Sequence, residues 1–497
     1  MATVKTAPKE GGGLLPYDGL RGWMDKLDEM GDLRIVEGAD CKTDIGMATE
    51  LLQHHHDAPA AIFDSIPGHK KGFRVLVNMY GTPARMALTY GLPTDLNKKD
   101  LSRRILEMIE NNHPIATKEV DDGPVLENVQ MGDDVNVDIF PSARWHELDG
   151  GPYIGTGSYD ITRDPDTDSI NLGTYRNMSM DKKTVGFYIS PGKHGRIHRD
   201  KWWKRGEALP ALIVIGGDPL LLVAACTELP FGVSEYDWVG GLRGEAYPVI
   251  KGRVTGLPIP ADAEIVFEGY VAENNKRNEG PFGEWTGYYA SGEREEPVLD
   301  IKAVYYRNNP IVTGFPPQRP PDEQQRFRAI QRSALLHQEM EKASVPGITG
   351  VWCHEAGGAR MLVAVSIEQK YPGHSRQAGH VAAMCHVGAY AGRYVIVVDD
   401  DIDVTNLEEV MWAMSTRSDP ETSIDIIKRA WSTLLDPRIS PADKKAGKLM
   451  NSRAIIDATR PWEWRNEFPV VNMPSPEWRR RSEEKWGFVV ERPGKKK

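Results

Sequence analysis

The sequence predicts an α+β multidomain protein, with α/β segments at both ends and a largely antiparallel β segment between them. Apolar residues recur at helical spacing in the first ~120 residues and again beyond Asp322, whereas strand-like runs dominate the stretch between. Gly 48 and Pro 35 form no collagen period and no long low-complexity tract, so they mark many short elements and structured loops rather than a fibrous or disordered chain. A length of 497 residues, 40% hydrophobic and 27% charged, suits two to four domains with a sizeable core.

Residues 1–122 read as an N-terminal α/β domain behind a leader over 1–15. Leu20, Trp23, Met24, Leu27 and Met30 step by three and four, an amphipathic helix with Gly31 as its stop. A second helix runs from about Leu101 to Asn111, burying Ile105, Leu106, Met108 and Ile109, and Ala60–Phe63 and Phe73–Val77 are strands. Residues 123–318 form the β segment, a barrel or sandwich whose clearest strands are Ala211–Ile215, Ala263–Val271 and Val298–Tyr306. Prolines at 316, 317, 320 and 321 make the linker, since proline continues neither helix nor ladder. Residues 319–462 return to α/β: a helix over Glu323–Lys342, a strand Met361–Ile367, a helix after His374 and a strand Tyr394–Val398. That strand ends in the acidic run Asp399–Asp403, which reads either as a site that positions something or as a solvated loop. Residues 463–497 are a charged arm, laid over the surface or a neighbouring subunit.

Lys plus Arg number 61 against 71 Asp plus Glu, a formal charge of -10, which argues against a chain-wide polybasic nucleic-acid surface and leaves room for one local basic pocket. No apolar run reaches the roughly 20 residues that span a bilayer. Met1–Leu15 has basic residues but no apolar stretch of the secretory kind. Cys41, Cys226, Cys353 and Cys385 are too scattered for a disulfide framework or a thiolate zinc knuckle. These features together suggest a cytoplasmic protein.

The densest chemical signal is Asn278-Glu279-Gly280-Pro281-Phe282-Gly283-Glu284-Trp285, followed by Thr286-Gly287-Tyr288. Gly-Pro-Phe-Gly forces a bend that can aim two carboxylates into one cavity, where the first ionisation disfavours the second. One acid could then hold a proton near neutral pH while the other stays charged; the alternative is two surface glutamates capping backbone amides. Arg176 would partner such a pair, or stand in an ordinary strand-edge ion pair. Asn171, His194 and Glu235 would offer a mixed O/N set suited to Mg or Mn, yet no spacing rule unites them. Gly357-Gly358-Ala359-Arg360 lacks the dinucleotide and P-loop signatures. His54-His55-His56 cannot face one metal from a regular element, and Cys353-His354 and Cys385-His386 are sequence neighbours only.

Taken together these segments closely resemble the UbiD family of reversible decarboxylases, which use prenylated flavin mononucleotide (prFMN). The likeness rests on Glu279–Glu284 with Thr286-Gly287-Tyr288, Asn171…Arg176, Lys193-His194, Pro230–Glu235, Tyr371–His374, Val397–Asp403 and Met411…Arg417. It implies a central split β-barrel, of the flavin-reductase kind, that holds the cofactor, and a C-terminal α/β domain that builds a homodimer or homohexamer. The activity implied is non-oxidative, reversible decarboxylation of an aromatic carboxylic acid to release CO2, through a covalent substrate–prFMN adduct. An α,β-unsaturated or thioester-activated acid is an alternative substrate, and a non-catalytic accessory subunit an alternative role.

Carried over by position, the family's Glu–Arg–Glu network falls on Glu279, Arg176 and Glu284, with Glu284 as proton donor and Arg176 orienting the substrate carboxylate. The ligands of a divalent ion (Mn or Mg) at the cofactor phosphate fall on Asn171, His194 and Glu235. K+ is implied near the carbonyls of Leu172 and Ala224–Thr227, with Glu235 shared. Ser190, Lys193 and Trp285 fall beside the substrate, which tilts the reading toward a hydroxylated or acidic aromatic ring. The family's phosphate-contacting lysine has no counterpart in Cys385–Tyr390, where His386 is the candidate replacement. The cofactor itself would come from a separate flavin prenyltransferase.

Overall fold

The computed structural model describes residues 15–227, 229–290 and 292–490. The leader expected over 1–15 lies almost wholly outside the described residues. Its first helix, Gly19–Glu29, buries Leu20, Trp23, Met24 and Leu27 on one face, and Gly31 follows with φ +70°. Lys98–Glu110 is the second expected helix, capped by the Asn97 side chain, which accepts from the Asp100 N–H. A third helix that the periodicity did not mark, Asp44–His54, lies between them.

The N-terminal sheet orders its strands Leu33–Glu37, Ala60–Asp64, Arg74–Val77 and Ile311–Gly314. Its last strand comes from the far end of the β segment and pairs parallel with Arg74–Val77. Such a long-range parallel pair has no local sequence signal.

The middle of the chain is an open, curled sheet with a path of eight strands, the split-barrel architecture. Its centre is antiparallel: Leu209–Ile215 runs between Ser158–Arg163 and Ile265–Val271, which pairs in turn with Arg294–Tyr306. Alternation along Leu209–Ile215 explains the burial. Leu209, Ala211, Ile213 and Ile215 enter one apolar core, while Leu212 and Val214 enter another behind the sheet. Three short helices, His194–Lys204, Pro219–Ala225 and Glu235–Arg243, interrupt the strands; each delivers residues to the cleft described below.

The C-terminal segment opens with Glu323–Lys342, a helix capped by Asp322, whose carboxylate accepts from the Gln325 N–H. Its five-stranded sheet has Ile348–Cys353 and Ile424–Trp431 at its edges. The acidic run at the end of Tyr394–Asp399 is held by ion pairs at Asp399 and Asp401, while Asp400 and Asp403 stay exposed. Arg417 spans Asp399 and Asp401, and Arg460 also bonds Asp401. No helix among the described residues is long and apolar enough to cross a membrane.

Candidate active site

Three chain segments converge on a cleft beside the split barrel. Strand Lys276–Glu279 pairs with Arg294–Tyr306 and so fixes Glu279 opposite Arg294. The chain then leaves the ladder at Gly280, whose φ of +90° suits glycine alone. Glu284 closes a tight turn, its N–H donating to the Tyr288 carbonyl and its own carbonyl accepting from Gly287. Arg176 stands between strands Ile170–Gly173 and Asn177–Asp181, facing this turn.

Arg176 joins the two glutamates. Its Nε donates to Glu279 Oε1 at 2.7 Å and its Nη2 to Glu279 Oε2 at 3.0 Å, while Nη1 bonds Glu284 Oε1. Glu279 is further held by the Tyr153 hydroxyl at 2.8 Å. All three charged side chains are at most 10% exposed. Burial works against the Arg176 charge, but Glu284 and Glu279 outweigh it and keep the guanidinium a cation. Burial pushes the Glu284 carboxyl above its ordinary value, and Arg176 pulls it only partly back. The arrangement supplies a fixed cation, one carboxylate fully engaged by it, and one acid disposed to keep its proton.

Arg176 and Glu284 face a chamber of about 150 Å³ walled by Tyr188, Phe282, Trp285, Phe315 and Leu435. It adjoins a second chamber of about 230 Å³; Thr174, Tyr175, Ser190, Cys226, Trp285, Arg328 and Leu435 line both. Asn171, Leu172, Ser190, Lys193, His194, Glu235, Trp285 and His386 all line the larger chamber. The sequence could not unite Asn171, His194 and Glu235; here one cavity does. His194 opens helix His194–Lys204, Glu235 opens Glu235–Arg243, and Asn171 sits on a strand. His198, one turn beyond His194, is a core residue. Its Nδ1 pairs with Thr162 Oγ1 at 3.0 Å, and burial pushes its pKa down to about 4.

The larger chamber's donors fit a cation and an anionic tail. Glu235 is 2% exposed and accepts from the Leu172 N–H at 2.7 Å, yet burial pushes it up to about 8, the mark of a carboxylate short of positive charge. The buried Asn171 Nδ2, an N–H donor, has no hydrogen-bond partner among the described residues and suits the anionic tail. Among the described residues, Lys193, Arg328, Arg360 and two histidines share the lining with one acid, Glu235, so the chamber favours a phosphate-bearing guest. No cluster of three or more His, Cys, Asp or Glu side chains is placed to hold a metal among the described residues, and the mixed set above is the metal-ligand candidate.

Several residues around the cleft escaped the sequence reading. Arg360 lies in the Gly-Gly-Ala-Arg turn set aside for want of a nucleotide signature. Its Cζ is 5.0 Å from the Tyr390 ring centre and 5.7 Å from that of Trp285. Arg328, on Glu323–Lys342, read simply as part of a helix. Tyr188 places its ring 5.2 Å from Arg176 Cζ.

Three family models match the chain in succession. These are the N-terminal domain of 3-octaprenyl-4-hydroxybenzoate carboxy-lyase over residues 24–105, its Rift-related domain over 117–320 and its C-terminal domain over 326–458. A pyrrole-2-carboxylic acid decarboxylase of Pseudomonas aeruginosa is 30% identical, covering 94% of this chain and 97% of that protein. The structure of Sedimentibacter hydroxybenzoicus vanillic acid decarboxylase in open form superposes with a TM-score of 0.82 at 29% identity, over 96% of this chain and 100% of the other. An evolved dimeric form of the enzyme HmfF from Pelotomaculum thermopropionicum, in complex with prFMN, matches with a TM-score of 0.78 at 25% identity, over 94% and 98% of the two chains. With all three domain models met in order and a relative of that identity aligned along nearly its whole length, the chain belongs to the UbiD family.

Proposed function

We propose that this protein is a prFMN-dependent carboxy-lyase that removes CO2, non-oxidatively and reversibly, from an aromatic carboxylic acid. The observation that carries the proposal is Arg176 holding Glu279 and Glu284 at the wall of an aromatic chamber that opens onto a basic one. The basic chamber suits the cofactor phosphate and the aromatic chamber a flat ring. The vanillic and pyrrole-2-carboxylic acid decarboxylases among the relatives point to the same class of substrate.

When bound, prFMN supplies the electron sink that a departing carboxylate requires. Arg176 presents its guanidinium to the substrate carboxylate before CO2 leaves, and its bond with Glu279 keeps it oriented. Glu284 then gives its proton to the ring carbon that CO2 has vacated; the net change is one C–C bond broken and one C–H bond made. Ser190 lies where the two chambers meet and Lys193 in the larger one, both available to read polar substituents, and Trp285 stacks on the ring.

Asn171, His194 and Glu235 would hold Mn or Mg at the phosphate, with K+ near the Leu172 and Ala224–Thr227 carbonyls. His386, Arg328 and Arg360 share the place of the family's missing lysine. The working division is 1–122, 123–318, 319–462 and a 463–497 arm, with a separate flavin prenyltransferase as cofactor source. Self-association runs through the C-terminal sheet, whose edge strand Ile424–Trp431 leaves Ile426 56% and Trp431 50% exposed. A cytoplasmic setting agrees with the free cysteines.

Protein purified from cells that make prFMN should carry visible absorbance, release CO2 from hydroxylated benzoates and oxidise no nicotinamide. A colourless protein inert toward every aryl carboxylate would sink the proposal. Graded chelation should strip the divalent ion, release the cofactor and stop turnover, with Mn or Mg restoring both. Full cofactor retention after complete metal removal would count against Asn171, His194 and Glu235 as ligands.

A further inference from the structure

The bend between the two glutamates lacks regular secondary structure, so something outside it must fix where Glu284 points. The Trp145–Gly150 segment does so. The Gly150 N–H donates to the Pro281 carbonyl at 2.8 Å, and the Gly283 N–H donates to Asp149 Oδ1 at 3.2 Å. Asp149 has no side-chain exposure and is itself fixed by His146, whose backbone N–H lies 2.9 Å from Oδ2.

His146 ties the assembly together. Its Nδ1 reaches the Asp149 carboxylate at 2.9 Å and its Nε2 the Pro317 carbonyl at 2.7 Å. The ring is thus held from both sides, by a carboxylate at one nitrogen and a backbone carbonyl at the other. The same ring packs edge-on against Phe282, with centroids 5.3 Å apart. It also passes so close to Gly283 that a Cβ there would sit 2.9 Å from His146 Cε1. Pro317 and Glu284 line the aromatic chamber together. One imidazole therefore contacts or braces Phe282, Gly283 and Pro317, the immediate surroundings of the proton donor.

We propose that His146, with Asp149, is a positioning pair that sets the reach of Glu284. His146 lines neither of the two chambers described above, and acts through the bend on the proton-return step. This inference rests on Glu284 being the acid of the proposed reaction. Loss of the brace lets the bend drift by a fraction of an ångström to an ångström, and a misplacement of that size costs on the order of 100-fold in rate.

The test uses the cofactor-loaded protein and four variants: His146→Ala, His146→Gln, Asp149→Asn and Glu284→Gln. His146→Ala and Asp149→Asn should lower kcat by about 10- to 100-fold, with KM and FMN affinity little changed. The solvent deuterium isotope effect on kcat should rise in both, because proton return becomes slower than the other steps. His146→Gln, which keeps a donor toward Pro317, should recover part of the rate. Unchanged kcat and isotope effect in His146→Ala would overturn the proposal. So would a fall in kcat that merely follows the lost folded, FMN-binding fraction at a constant isotope effect. Active Glu284→Gln would instead overturn the underlying assignment of the acid, so the two failures are told apart.

Discussion

Glu284→Gln is expected to lower kcat by on the order of 10²–10⁴-fold, the usual worth of a positioned general acid, while the protein folds and takes up cofactor as before. Glutamine keeps the length of the side chain and a carbonyl oxygen for Arg176 Nη1, so the bend keeps its shape. What it removes is a transferable proton. The pH dependence follows with a definite sign. Burial holds the Glu284 carboxyl above its ordinary value despite Arg176, so the acid form persists past the usual carboxylate range. Turnover needs that form, and kcat should therefore fall as pH rises through the shifted value. Whatever activity Glu284→Gln retains should lack this alkaline limb. A variant with full turnover, or one with the limb unchanged, would take the proton-donor role away from Glu284.

The same segment marks the boundary of what the chain reveals to a reader of its sequence. Helix Glu323–Lys342 was legible to the residue because Asp322 announces its start and the following pattern is local. Glu279-Gly280-Pro281-Phe282-Gly283-Glu284 was legible because its glycines and proline allow little but a bend. Asn171, His194 and Glu235 could be named only by resemblance, since their meeting depends on a strand and two helix starts brought together by the barrel. Ile311–Gly314 joining the N-terminal sheet is a parallel pairing across more than two hundred residues, and no period in the chain encodes it. Arg328 and Arg360 were hidden for another reason. Each sits in an element whose local pattern is complete without it, and its place in the cavity lining depends on the fold. His146 is similar: nothing in Trp145-His146-Glu147-Leu148-Asp149 foretells that its partner carbonyl belongs to Pro317.

Arg176→Met should be more damaging than any substitution of one glutamate, because it removes the cation from two buried carboxylates at once. Breaking a buried ion pair by deleting one partner typically costs about 3–5 kcal/mol, most of it the penalty of leaving the other charge uncompensated. The variant should lose both decarboxylation and several degrees of melting temperature. Its deficit should depend on pH in a set direction. Without Arg176, the burial that raises Glu284 is unopposed, and a carboxyl raised in the folded state stabilises most below its unfolded value. The stability gap between Arg176→Met and the parent should thus be smallest in acid and widen as pH rises through and beyond the ordinary carboxylate range. Adding Glu279→Gln to Arg176→Met should restore much of the melting temperature, since it removes the carboxylate that the guanidinium gripped through two donors. It should restore none of the activity, because the group that orients the substrate is still missing. Arg176→Lys separates charge from geometry. Its single ammonium cannot reproduce three bonds in a fixed fork, so it should regain stability at neutral pH far more than turnover. Thermal melts across pH, paired with CO2 release for each variant, measure the two quantities side by side. Were Arg176→Met as stable as the parent at neutral pH and still active, Arg176 would be an ordinary strand-edge ion pair, and the site would have to be sought elsewhere in the cleft.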